Sequence, residues 1–154
     1  DLLNVKYVLS LSEIRDDDLR LVFEEGQTKT YENTTFLPRA FFVKSIISSG
    51  NKQESIEKLF TDLNISDTAV VEETKSSVNF SLGEAEIVNY SDNEVIIQAE
   101  NERDGFLVLL DSYYPTWNAS IDGGKTKIFK TNYNFRGVFV PAGKHVIKFE
   151  NSLL

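Results

Sequence analysis

The stretch WNASIDGGKTKIF, residues 117–129, decides the fold class, together with FRGVFVPAGKHVIKF at 135–149. Each is two runs of β-branched, aromatic and alternating residues around a turn. In the first, Asp122-Gly123-Gly124 separates Trp117–Ile121 from 125–129, and glycine supplies the positive φ that a tight hairpin turn needs. In the second, Pro141-Ala142-Gly143-Lys144 separates 135–140 from 145–149. Two consecutive hairpin signals predict an antiparallel, mainly β fold.

The pattern continues upstream. Residues 85–90 and 94–100 flank Ser91-Asp92-Asn93. Residues 106–110 are uninterrupted apolar after Asp104-Gly105, as in a strand buried on both faces. Turn signals at roughly 8–12-residue spacing favour a sandwich over a parallel sheet. Nearer the start, strands are predicted at 4–10, 19–24, 29–32, 40–44 and 68–72. Pro38 fixes φ and lacks an N–H, which places it at a strand entrance or edge. Residues 74–80 are polar and read as a loop or an edge strand.

One helix is expected, over 51–63. Ile56, Leu59, Phe60 and Leu63 share one face of a 3.6-residue period, with Gly50 before and Asn64 as a C-terminal cap. The fold expectation is an antiparallel β-sandwich with one or two helices. We expect a single domain over 1–154, with possible subdomains 1–82 (mixed) and 84–150 (nearly all β).

Composition bounds the function. With 41% hydrophobic and 26% charged residues the chain is globular rather than disordered. Sixteen Lys and Arg against 24 Asp and Glu give a formal charge of -8, which excludes nucleic acid as a partner. There is no cysteine, so disulfides, thiolate metal sites and a Cys nucleophile are excluded together. Residue 1 is Asp and there is no Met, which suits a processed or excised segment. No signal-peptide pattern and no run of about 18 apolar residues is present.

Three segments together resemble the C-terminal soluble part of the bacterial YfhO-type membrane-protein family. They are Leu3-Asn4-Val5-Lys6-Tyr7-Val8-Leu9; Tyr31-Glu32-Asn33 with Leu37-Pro38-Arg39-Ala40-Phe41-Phe42-Val43; and the block from Gly105 to Phe149. That block holds Tyr113-Tyr114-Pro115-Thr116-Trp117, Ile121-Asp122-Gly123 and Val140-Pro141-Ala142-Gly143-Lys144-His145. The resemblance is thinnest between about 45 and 105. Thr116 stands where the family usually has glycine, and the chain stops at Leu154 where the family runs into a closing membrane helix.

The resemblance implies a parent that is a GT-C-like glycosyltransferase using a polyprenyl-phosphate sugar outside the cell. Its catalytic carboxylate would lie in an early loop between membrane helices, outside this chain. This domain is therefore expected to be non-catalytic, without cofactor or metal, and on the extracytoplasmic side of the cell membrane. Its expected partners are the parent membrane domain and a cell-wall glycan or teichoic acid, whose acceptor it would position. The alternatives are a carbohydrate-binding module and a structural protein-interaction domain.

The residues offer few sites. Tyr113, Tyr114 and Trp117 around Pro115 are candidate glycan contacts, because flat amphipathic rings stack on sugars. The competing reading is that Trp117 is a core plug. Arg39 is a candidate for gripping a carboxylate or phosphate, or else an ion pair tying the sheet; Arg136 reads likewise. Asp111 and Asp122 could pair as carboxylates, yet Asp before Gly-Gly is a good turn residue. Asp16-Asp17-Asp18 lacks the spacing of a calcium loop. His145, the single histidine, reads as a surface or hairpin residue. Sequons at Asn33, Asn64, Asn79, Asn89 and Asn118 carry no function in a bacterial setting.

Overall fold

The structure is a computed structural model that describes residues 3–61, 63–75, 77–78 and 80–152. It divides into two compact units, Asp1–Pro38 and Arg39–Leu154. The seam thus falls at Pro38/Arg39, not near residue 83 where the texture of the sequence changes.

The first unit is a three-stranded antiparallel sheet. Its strands are β1 (Tyr7–Ser10), β2 (Leu19–Glu25) and β3 (Thr28–Asn33), in the order β1-β3-β2. The stretch expected from residue 4 begins at Tyr7, because Asn4 has a φ of 55° and breaks the extended run. Gly26, at φ 59°, closes the hairpin in which Glu25 pairs with Thr28.

The second unit is a sandwich. One sheet has seven strands in the order β4-β10-β14-β13-β6-β5-β7. In chain order these are β4 (Ala40–Val43), β5 (Ser45–Ser49), β6 (Thr68–Glu72), β7 (Ser77–Val78), β10 (Gly105–Ser112), β13 (Phe129–Thr131) and β14 (Phe135–Val140). The other sheet has five, in the order β12-β11-β15-β9-β8. These are β8 (Glu84–Tyr90), β9 (Glu94–Asn101), β11 (Trp117–Ile121), β12 (Gly124–Thr126) and β15 (Gly143–Asn151). The mainly β, antiparallel, sandwich-like expectation therefore holds.

The core lies between the two sheets. Phe42, Leu107, Leu109, Val138 and Val140 from one meet Val95, Ile97, Ala119, Ile147 and Phe149 from the other, all buried. Alternation along each strand supplies these inward sets. The seven-stranded sheet is buried on its second face as well. There Phe80, Phe106, Phe129 and Phe139 form an aromatic cluster, edge-to-face except for the tilted Phe80–Phe106 pair, with Phe106 and Phe139 centroids 4.9 Å apart. That second layer explains the uninterrupted apolar run of β10.

Three details differ from expectation. The helix α1 is Lys52–Leu59, shorter than 51–63. Asn51 is its N-cap, and its side chain accepts from the Glu54 N–H at 3.0 Å. Phe60 lies past the helix and is exposed, and the buried residue of the helix is Ser55, bonded to Ser49 at 2.7 Å between hydroxyls. Next, β5 and β6 pair in parallel across α1, a strand–helix–strand crossover inside an otherwise antiparallel sheet. Finally, the predicted strand 125–129 is two strands: β12 stays beside β11, and β13 has crossed to the other sheet.

The Asp122-Gly123 turn has φ of 50° and 82° and joins Ile121 directly to its partner Gly124. These are the positive angles of a type I′ hairpin turn.

Candidate functional site

At one end of the sandwich the ladder between β10 and β14 slips. Leu109 pairs with Arg136, but the next pair is Ser112 with Phe135, so β10 bulges at Leu110-Asp111. On the β4 side the register runs on, with the Leu110 N–H donating to the Arg39 carbonyl at 2.8 Å, and the bulge leaves Asp111 at the mouth of the interior.

Arg136 shares a strand face with Val138 and Val140, so its side chain enters the space between the sheets. It is 4% exposed. Its guanidinium carbon lies 3.7 Å from the Trp117 ring centroid and 6.0 Å from that of Phe149. Nε donates to the Ser112 carbonyl at 3.0 Å, across the bulge, while the buried Nη1 has no hydrogen-bond partner. Burial pulls the Arg136 pKa down, and the Asp111 carboxylate and Tyr90 oppose this.

Asp111 is the hub of a surface triad. Its Oδ1 accepts from Arg39 Nη1 at 2.8 Å and from the Tyr90 hydroxyl at 3.1 Å. The Tyr90 oxygen in turn accepts from Arg39 Nη1 at 3.0 Å, and Arg39 lies 5.0 Å from the Tyr90 ring centroid. Burial first, then the neighbouring Asp111 charge, pushes the Tyr90 phenol pKa up, so it stays a neutral donor. The Arg39–Asp111 pair is unequal: the arginine side chain is 41% exposed and the aspartate 10%.

Tyr90, Asp92, Asp111, Ser112, Trp117 and Arg136 line an open depression of about 270 Å³. It combines two aromatic rings with carboxylate and hydroxyl groups, the equipment of a polar-ligand contact.

The three predicted aromatics do not form one platform. Trp117 is half-buried, packs against the core and carries Arg136 over its face. Tyr113 lines a different, smaller depression with Glu72 and Lys130, and its N–H donates to the Asn134 carbonyl at 2.7 Å. Tyr114 is exposed, and its carbonyl accepts from the Trp117 N–H at 3.1 Å, closing the turn through Pro115. Arg39 takes the ion-pair option, with Asp111. Tyr90 had no part in the sequence expectation; it stands 51 residues from Arg39 in the chain, and no local pattern announces it.

Asp111 and Asp122 belong to separate networks. The Asp122 carboxylate accepts from the Val146 N–H at 2.8 Å and faces His145 Nδ1 at 2.6 Å. The other ring nitrogen of His145 faces the Ala142 carbonyl at 3.2 Å. Two oxygens on one imidazole favour its protonated form; the Asp122 bond raises the His145 pKa most. The Val146 N–H, then His145, lower that of Asp122. This pair borders an open depression of about 380 Å³ that also exposes Glu84, Glu86, Glu100 and Lys144.

Asp16 accepts from the Asp18 N–H at 2.9 Å, a local turn. Among the described residues no group of three or more His, Cys, Asp or Glu could hold a metal ion, and no helix is long and apolar enough to cross a membrane. The Asn79 sequon lies outside the described residues; Asn33 is buried, with its side chain donating to the Val5 carbonyl at 2.9 Å.

Comparison with protein-family models, with curated proteins and with solved structures finds no match to this chain.

Proposed function

We propose that this chain is a non-catalytic, extracytoplasmic domain of a membrane glycosyltransferase-like protein and that it positions a glycan acceptor. The membrane setting rests on the resemblance of the Leu3–Leu9, Leu37–Val43 and Gly105–Phe149 segments to the YfhO-type family. The contact with glycan rests on one observation: the Trp117 depression, where two aromatic rings stand beside Asp92, Asp111 and Ser112. Sugar rings present an apolar face and a rim of hydroxyls, and such a surface offers a partner for each.

Trp117 is the single tryptophan, so its fluorescence reports on this depression alone. Titration with wall-derived oligosaccharides should shift the emission saturably. Tyr90→Ala, at a ring that is 53% exposed, should weaken binding about tenfold, as loss of a stacking contact of ~1–1.5 kcal/mol implies, with the chain still folding cooperatively. No emission change and no calorimetric heat with any glycan would remove the glycan role.

A further inference from the structure

We infer that the Trp117 depression selects a neutral saccharide, bound through its hydroxyls, and discriminates against uronates and phosphate-bearing polymers. This rests on the glycan reading above and names the chemical class of its ligand.

The charges around the depression cancel. Arg39 and Arg136 contribute two positive charges, and Asp92 and Asp111 two negative ones. Neither guanidinium offers an uncompensated charge to an anion. Arg39 Nη1 is already bound to the Asp111 carboxylate and the Tyr90 hydroxyl, so an incoming phosphate meets an arginine whose charge is offset by a carboxylate. Arg136 is buried beneath Trp117, with Nε tied to the Ser112 carbonyl, and its unpartnered Nη1 has no exposed surface.

The exposed Asp92 on the rim adds repulsion, and the chain as a whole carries -8. A hydroxyl meets none of these penalties. It donates to Asp92 or Asp111, accepts from the half-exposed Arg39, and leaves every existing ion pair in place. Arg136 then acts from below: its guanidinium carbon, 3.7 Å from the Trp117 ring centroid, holds that ring in position.

The test uses the whole chain and two matched probes: neutral galactose trisaccharides and trigalacturonate. Binding is read by Trp117 emission at low and high salt. We expect the neutral probe to bind at least about tenfold more tightly, with little change in affinity as screening increases. Asp92→Asn, at an exposed loop position, should narrow the preference for the neutral probe over trigalacturonate about three- to fivefold, as removal of one charge at contact distance in water implies.

Tighter, salt-sensitive binding of trigalacturonate to the unmodified chain would overturn this inference while leaving the glycan reading intact. Binding of neither, repeated with N-acetylglucosamine and glycerol-phosphate oligomers, would remove both.

Discussion

Gly137→Ala is the sharpest test of the packing described above. Gly137 sits mid-strand in β14, opposite Val108 on one side and Phe129 on the other. A Cβ built there falls 2.4 Å from Phe106 Cζ, 2.4 Å from Thr131 Oγ1 and 2.6 Å from Phe106 Cε1. None of these atoms has room to retreat. Phe106 is fully buried and edge-on to Phe139 at 4.9 Å, and Thr131 is fully buried with its hydroxyl on the Phe129 carbonyl.

Overpacking of this kind costs about 1–3 kcal/mol, and two unyielding neighbours put the site near the upper end. The lower entropy of an unfolded alanine chain returns about 0.4–1 kcal/mol. The expected net loss is therefore ~2 kcal/mol, or roughly 4–8 °C in Tm for a chain of this size.

Removing the ring tip should release the strain. Phe106→Leu alone loses buried surface and edge-to-face contact, about 1–2 kcal/mol. In the double variant the new methyl occupies the vacated space, so the combined loss should fall short of the sum by about 1–2 kcal/mol. Urea unfolding followed by Trp117 emission reports on the unit that contains both sites, and equal m-values would license the comparison. Additivity within about 0.5 kcal/mol, or a neutral Gly137→Ala, would refute the steric account.

Two further outcomes follow from local geometry. Asn51→Ala removes the acceptor for the Glu54 N–H and should cost about 1 kcal/mol, seen as faster amide exchange over Lys52–Leu59 with the sandwich strands unaffected. The Asp122–His145 contact should make stability depend on pH. His145 has a raised folded pKa, so its contribution is complete below the unfolded value of about 6.5 and is lost as pH rises through the folded one. Asp122 has a lowered folded pKa, so its contribution is complete above about 3.9 and is lost as pH falls through the folded value. Denaturant midpoints of the parent and His145→Gln should differ most between about pH 4 and 6.5 and converge above; a constant gap up to pH 9 would contradict the assignment.

Most strands were legible because one face of each is buried, and burial writes a period of two into the sequence. β6 and β11 coincide with their predicted spans. β5 was not foreseen: Ser45-Ile46-Ile47-Ser48-Ser49 follows β4 with only Lys44 between them and carries no turn signal. Its parallel pairing across α1 is likewise not written in periodicity, which records faces and not partners. The same limit explains residues 125–129. Alternation runs through Lys127-Ile128, where Ile128 packs on the core, while the backbone passes from one sheet to the other. The helix was drawn too long because Phe60 and Leu63 continue its apolar spacing, yet the backbone leaves the helix at Phe60, whose ring lies in water.

The site was legible in its parts and not in its assembly. Trp117, Arg39, Asp111 and Arg136 could each be singled out, but Arg39 and Asp111 are 72 residues apart and meet only because β4 pairs with β10. One signal was nevertheless present. On β14, Arg136 falls in phase with Val138 and Val140; on β10, Asp111 falls in phase with Leu107 and Leu109. Two apolar alternations each end in a charge of opposite sign. An isolated charge on a core-facing position is too costly to leave unanswered. Phase alone therefore requires that these ends lie at the mouth of the interior and near compensating groups. The bulge at Leu110-Asp111 completes the arrangement: it sets Asp111 outward to Arg39 and Tyr90 and frees the Ser112 carbonyl for Arg136. The sandwich thus ends in a charged, aromatic-lined mouth where a regular ladder would have closed it with another apolar pair.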